Sequence, residues 1–140
     1  MSSTRPWRLA ALLFFLFLLL VVWWADTQRI PGIFRALCDY PGGDKVGHFS
    51  LYGIFAFLGA KAWRRPLRVG RRSLPMGLFP AALMATLEET SQLFFPSRTP
   101  DLLDLGAGFL GIALAALLAT RGPLRNRSSN TAGEARPPIR

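Results

Sequence analysis

The sequence predicts an all-α fold, an integral membrane bundle of four transmembrane helices with both termini in the cytoplasm. Three observations carry that expectation. Of the 140 residues, 51% are hydrophobic and mean hydropathy is +0.28, a composition that disfavours both a disordered chain and an ordinary soluble domain. The apolar residues fall in four long runs. The 17 Lys+Arg, against 8 Asp+Glu, lie between those runs and not on a face shared with aromatics, which sets aside nucleic acid as a partner despite a formal charge of +9.

The first run, residues 9–25, has no charge between Arg8 and Asp26 and reaches about 25 Å as a helix, enough for a thin bilayer. A secretory signal peptide is the rival, with Arg5 and Arg8 as its positive start. Trp23 stands two positions before Ala25, where cleavage needs a small residue, so an uncleaved span is expected. The second span, residues 45–63, follows Gly42 and Gly43 and stops at Arg64, Arg65 and Pro66, with Lys61 placed to snorkel to the headgroups. The third, residues 74–95, accommodates Pro75 and Pro80 as a first turn or mild kink, but carries Glu88, Glu89, Ser91 and Gln92 in its second half. The fourth, residues 102–120, opens with Thr99 as N-cap, Pro100 and Asp101, and closes at Arg121, Gly122 and Pro123. Residues 1–8 then form a cytoplasmic N-terminus, 9–121 the membrane domain, and 122–140 a polar, Arg-rich cytoplasmic tail expected to be disordered and close to anionic lipid.

Charge orients the bundle. Threading the four spans alternately puts 13 of the 17 basic residues on the side of the termini, including the six from Lys61 to Arg72. The other side receives Arg29, Arg35, Lys45 and Arg98 with seven of the eight acids. That bias places both termini in the cytoplasm of a multi-pass inner-membrane protein. The lone Cys38 permits no intrachain disulfide and reads as a loop or interface residue.

The informative residues are those lipid would reject. Asp44, Lys45, His48, Tyr52, Glu88, Glu89, Gln92, Arg98, Asp101 and Asp104 all fall at the outer face or the outer part of three spans. Helical spacing puts His48 and Tyr52 on one face, with either Asp44 or Lys45 continuing it. Glu88 and Glu89 lie four and three residues from Gln92, so spacing leaves open which one points inward. Tyr52 and Glu89 sit about 12 and 9 Å from the outer ends of their helices, similar depths. Asp101, Asp104, Gly108 and Gly111 share a face of the fourth helix, where the glycines, with Ala107 and Ala115, admit a close neighbour. An ionisable group within a span costs about 2.5–3.5 kcal/mol unless it faces protein or water, so a shared polar pocket is expected. The alternative is a structural network in which Arg98 and Lys45 neutralise the carboxylates.

Asp44-Lys45-Val46-Gly47-His48-Phe49 with Tyr52, then Glu89-Thr90-Ser91-Gln92, then Arg98, Asp101, Asp104 and Gly111, resemble the signature of VanZ-like membrane proteins. The resemblance covers roughly half the chain, from Asp44 to Gly111, and joins three motifs in order. It implies a small bacterial inner-membrane protein whose namesake is associated with resistance to the glycopeptide teicoplanin. One departure is Gly108, where the family usually has Asn four residues after the second aspartate.

Three kinds of activity suit such a pocket. In an envelope enzyme acting on a lipid, His48 is the general base or acid, Glu89 orients it or carries a proton, and Lys45 or Arg98 holds an anionic headgroup. Ser50 and Ser91 are the nearby hydroxyls, though neither stands in a nucleophile motif. In a non-catalytic binding or accessory protein, the same groups with Asp44, Tyr52, Gln92, Asp101 and Asp104 recognise a cell-wall precursor, an antibiotic or an envelope protein. In a small transporter they relay protons or ions. His48, Glu89, Asp101 and Asp104 form a chemically feasible N/O ligand set, but no paired-His spacing supports a metal, and no cofactor is expected. Membrane lipids are the expected partners, and the sequence leaves the oligomeric state open.

Overall fold

The computed structural model describes residues 4–32, 35–36, 39–70, 72–95 and 99–120. The expectations for Cys38, Arg98 and the 122–140 tail fall outside the described residues. Among the described residues the fold is mostly helical, with four long helices: α1 (Arg5–Asp26), α2 (Gly43–Ala62), α3 (Phe79–Ser91) and α4 (Leu102–Thr120). Two of them, α1 and α4, are long and apolar enough to cross a membrane, and only 11% and 22% of their apolar stretches are buried inside the bundle. The remainder is a belt of outward Leu side chains, such as Leu12, Leu16, Leu110 and Leu117.

The helices alternate in direction. Trp7 meets Phe57 edge-on and Phe15 stacks on Phe55, with ring centroids 6.3 and 5.8 Å apart, so α1 runs antiparallel to α2. Down the α2–α4 seam, Lys45 meets Asp104, Tyr52 meets Gly108 and Gly53 meets Gly111, a parallel pairing. Its tightest point is Gly111, where a Cβ would fall on the Phe49 carbonyl oxygen, so only glycine fits. Between α2 and α3 the pairing is antiparallel, Tyr52 with Glu88 at one end and Gly59 with Gly77 at the other. The ends of α1 and α3 and the starts of α2 and α4 therefore gather at one pole. A narrow core of small residues, Ala56, Ala60, Ala81, Ala85 and Ala115, joins them with Tyr52 and Phe55.

Three details differ from the sequence expectation. The fold is not wholly α: β1 (Pro66–Val69) and β2 (Arg72–Pro75) form an antiparallel hairpin within the basic loop. Gly70 follows β1 with a φ of +61°, a left-handed conformation glycine adopts freely. Next, residues 74–95 are not one helix. Pro75 is extended and ends β2, a 3-10 turn (Met76–Leu78) precedes the 13-residue α3, and a second (Gln92–Phe94) follows it. Pro80 sits in the first turn of α3, where its missing N–H costs nothing. Helix and turns together rise about 31 Å. Finally, the N-cap of α4 is Asp101, not Thr99: its Oδ1 accepts the Leu103 N–H at 2.8 Å and its carbonyl the Asp104 N–H at 2.9 Å.

Candidate functional site

The polar residues meet at the pole formed by the starts of α2 and α4 and the end of α3. Lys45 extends from the first turn of α2 toward the first turn of α4. Its Nζ lies 2.9 Å from Asp101 Oδ2, 2.9 Å from Asp104 Oδ1 and 3.2 Å from Asp44 Oδ2. The three aspartates stand in or beside the first turns of α2 and α4, where helix N-termini favour negative charge. Asp44 Oδ1 also accepts the Lys45 backbone N–H at 2.9 Å. The Lys45 ammonium, followed by the Leu103 N–H, holds the Asp101 carboxyl below the ordinary carboxylate range.

One turn deeper, His48 and Tyr52 face α3. His48 Nε2 lies 3.2 Å from Glu88 Oε2, and the Tyr52 hydroxyl donates to the same oxygen at 2.7 Å. His48 Nδ1 lies 2.9 Å from the Asp44 carbonyl oxygen. A carbonyl only accepts, so Nδ1 carries a proton and donates. Nε2 then faces Glu88 either as N–H to a carboxylate or as a lone pair to a carboxylic acid. One proton is thus shared between His48 and Glu88.

Both glutamates are buried, Glu88 at 7% exposure and Glu89 at 6%, but they face different helices. Consecutive residues are about 100° apart around a helix, so Glu88 turns to α2 while Glu89 turns to the start of α4, where it accepts the Asp101 N–H. The expected pairing of His48 with Glu89 is accordingly replaced by His48 with Glu88. Gln92 lies beneath both, its Nε2 3.5 Å from Glu88 Oε1 and 3.4 Å from Glu89 Oε2. Among the described residues no buried side-chain N or O atom lacks a hydrogen-bond partner. Of the N/O set considered for a metal, His48 and Glu89 stand apart. The three carboxylates that converge are Asp44, Asp101 and Asp104, within 4.8 Å of one another, and they hold the Lys45 ammonium.

Beside this network lies a cavity of about 440 Å³ between the ends of α1 and α2. Asp44, His48, Tyr52, Glu88, Gln92 and Asp104 line one side, and Leu18, Val21, Val22, Trp24 and Ala25 of α1 line the other. Thr99 and Ser50 also reach it, whereas the Ser91 hydroxyl is engaged by the Glu88 backbone carbonyl at 2.7 Å. Gly108 lies under the Tyr52 ring, where a Cβ would come within 3.2 Å of Cδ2. The α1 wall is the part sequence reasoning missed. An apolar residue facing a pocket reads in the sequence like one facing lipid, so no signal marked it.

No curated protein and no solved structure matches the chain significantly. The VanZ/LLP1 family model matches residues 4–122, through all four helices and the whole polar network. On that match the chain belongs to the VanZ/LLP1 family.

Proposed function

We propose that this protein is a multi-pass inner-membrane protein, crossing four times with both termini cytoplasmic, and that the cavity at its outer pole binds an amphiphilic ligand of the cell envelope, such as a lipid, a lipid-linked wall precursor or a glycopeptide-related molecule. One observation carries the reading: a cavity of about 440 Å³ has a hydrocarbon wall from α1 and a hydrogen-bonding wall from α2, α3 and α4. Binding pockets of this size combine apolar lining with a few convergent polar groups, and a two-sided lining matches a molecule with a chain and a headgroup. The alternating helix directions, the 13-to-4 distribution of basic residues and the family membership support the topology.

The pair sharing a proton, His48 and Glu88, favours a second, catalytic reading in which the dyad takes a proton from a bound hydroxyl or amine and returns it to a leaving group. The Tyr52 hydroxyl is bonded directly to this dyad, and Ser50 is a second α2 hydroxyl lining the cavity.

One experiment in cells tests both topology and site. A reporter active only outside the membrane is expected to be active when fused after Phe95 and inactive when fused after Trp63. In the same cells, His48→Gln, Glu88→Gln and Val22→Trp, at equal protein level, should change susceptibility to envelope-directed drugs alongside a full deletion. The reversed reporter pattern would overturn the orientation. Wild-type susceptibility in all three variants, with a phenotype in the deletion, would overturn the role of the cavity.

A further inference from the structure

The cavity's charge determines which headgroup it accepts. His48 and Glu88 share one proton and sum to zero whichever holds it, imidazolium with carboxylate or neutral ring with acid. Of the residues lining the cavity, Asp44 and Asp104 add two carboxylates and none is Lys or Arg; Lys45 and Asp101 meet them from beside it. The Lys45 ammonium offers little to an incoming anion, because three carboxylate oxygens already lie within 3.2 Å of it. Asp104, its side chain 13% exposed, is the most buried of the aspartates, and a negative group buried beside an apolar wall is costly unless a cation accompanies it. The geometry also displays what that cation would receive, since Lys45 shows an ammonium bound by carboxylates from α2 and α4.

We propose that the cavity takes an amphiphile whose headgroup is an ammonium or protonated amine, seated against Asp44 and Asp104, with its chain along Val21 and Val22. The proposal rests on the amphiphile reading above and adds the sign of the headgroup. It carries an uncommon corollary. Lys45 competes with the ligand for the same aspartates, so removing this positive charge strengthens binding of a cation.

The test uses the purified full chain in nonionic micelles near pH 7, titrated calorimetrically with dodecylamine, dodecanol and dodecyl phosphate. Dodecylamine should saturate, with dodecanol about tenfold weaker, the scale of one charge-assisted contact, and dodecyl phosphate weakest. Asp104→Asn should weaken dodecylamine about tenfold while Lys45→Met tightens it. Misfolding cannot move two variants in opposite directions, so this split keeps the test meaningful if either variant is less stable. If dodecyl phosphate binds as tightly as the amine, or the two variants leave amine binding unchanged, the ammonium proposal is overturned while the amphiphile cavity stands. If none of the three probes saturates, the amphiphile reading fails and this proposal with it. Repeating the amine titration in nanodiscs with and without an aminophospholipid identifies the source: competition points to the bilayer's own lipid, and its absence to an amine arriving from solution.

Discussion

The two poles of the bundle are built from the same three helices and solve opposite problems. At the hairpin pole, Gly59 of α2 and Gly77 before α3 let two backbones touch, each leaving no room for a Cβ on the other. The chain leaving α2 is sewn to the start of the third element by Met76 N–H to Arg65 carbonyl at 2.8 Å and Gly77 N–H to Trp63 carbonyl at 3.3 Å. At the opposite pole the same helices are held apart by side chains, Tyr52 and His48 reaching Glu88 and Lys45 reaching Asp104. Close backbone contact specifies one arrangement through shape. A polar network specifies one through hydrogen bonds, and it leaves space beside it for something else to bind. The closed pole therefore fixes shape by backbone contact, and the open pole fixes it by hydrogen bonds that leave a cavity beside them.

The sharpest way to break that contrast is to open the closed pole. Gly77→Leu forces a side chain into the backbone of Gly59 and should cost more than about 3 kcal/mol, the upper range for overpacking, because neither partner can yield as a flexible side chain would. The expected result is loss of monodisperse protein from detergent extracts, or a large fall in Tm. An unchanged Tm would mean the two segments are not in contact. At the open pole the expected cost is smaller. Glu88→Ala leaves the Tyr52 hydroxyl and His48 without their buried partner, at about 1–3 kcal/mol. Glu88→Gln keeps an acceptor for Tyr52 and should recover most of that stability without restoring drug-susceptibility function. If Gln and Ala prove equally damaging to stability, the carboxylate charge and not the hydrogen bond holds the pole together.

How much of this was legible in the sequence follows from the same contrast. Helical periodicity alone placed His48 and Tyr52 on one face of α2; it left open whether Asp44 or Lys45 continues that face, and in the structure Asp44 lines the cavity while Lys45 reaches α4. Periodicity also placed Asp104, Gly108 and Gly111 on one face of α4, whose buried face they form. The choice between Glu88 and Glu89 was beyond reach, because both lie within one turn of Gln92 and only packing against α2 separates them. Gly59 and Gly77 belong to different elements, so their contact leaves no spacing pattern within either. The hairpin escaped because two four-residue strands rich in Arg and Pro read as a charged loop. The helix opening near Thr99 shifted to Asp101 because both are good caps, and only Asp101 also has a lysine from another helix to hold its second oxygen.

That double role of Asp101 yields the smallest effect, and the most specific to the open pole. Asn is also a good N-cap, so Asp101→Asn keeps the bond to the Leu103 N–H and removes only the charge facing Lys45. The folded carboxyl lies below its ordinary value. Its contribution is therefore complete above the unfolded value of about 3.9 and lost as pH falls through the folded one. Wild type should exceed Asp101→Asn in Tm by a constant margin from neutral pH down to about 4, and the margin should close below that. Other carboxylates in the cluster titrate in both proteins, so the difference between the two curves isolates this one. A margin that persists unchanged at low pH would assign the effect to the cap and not to the ion pair, and would remove Asp101 from the electrostatics of the site.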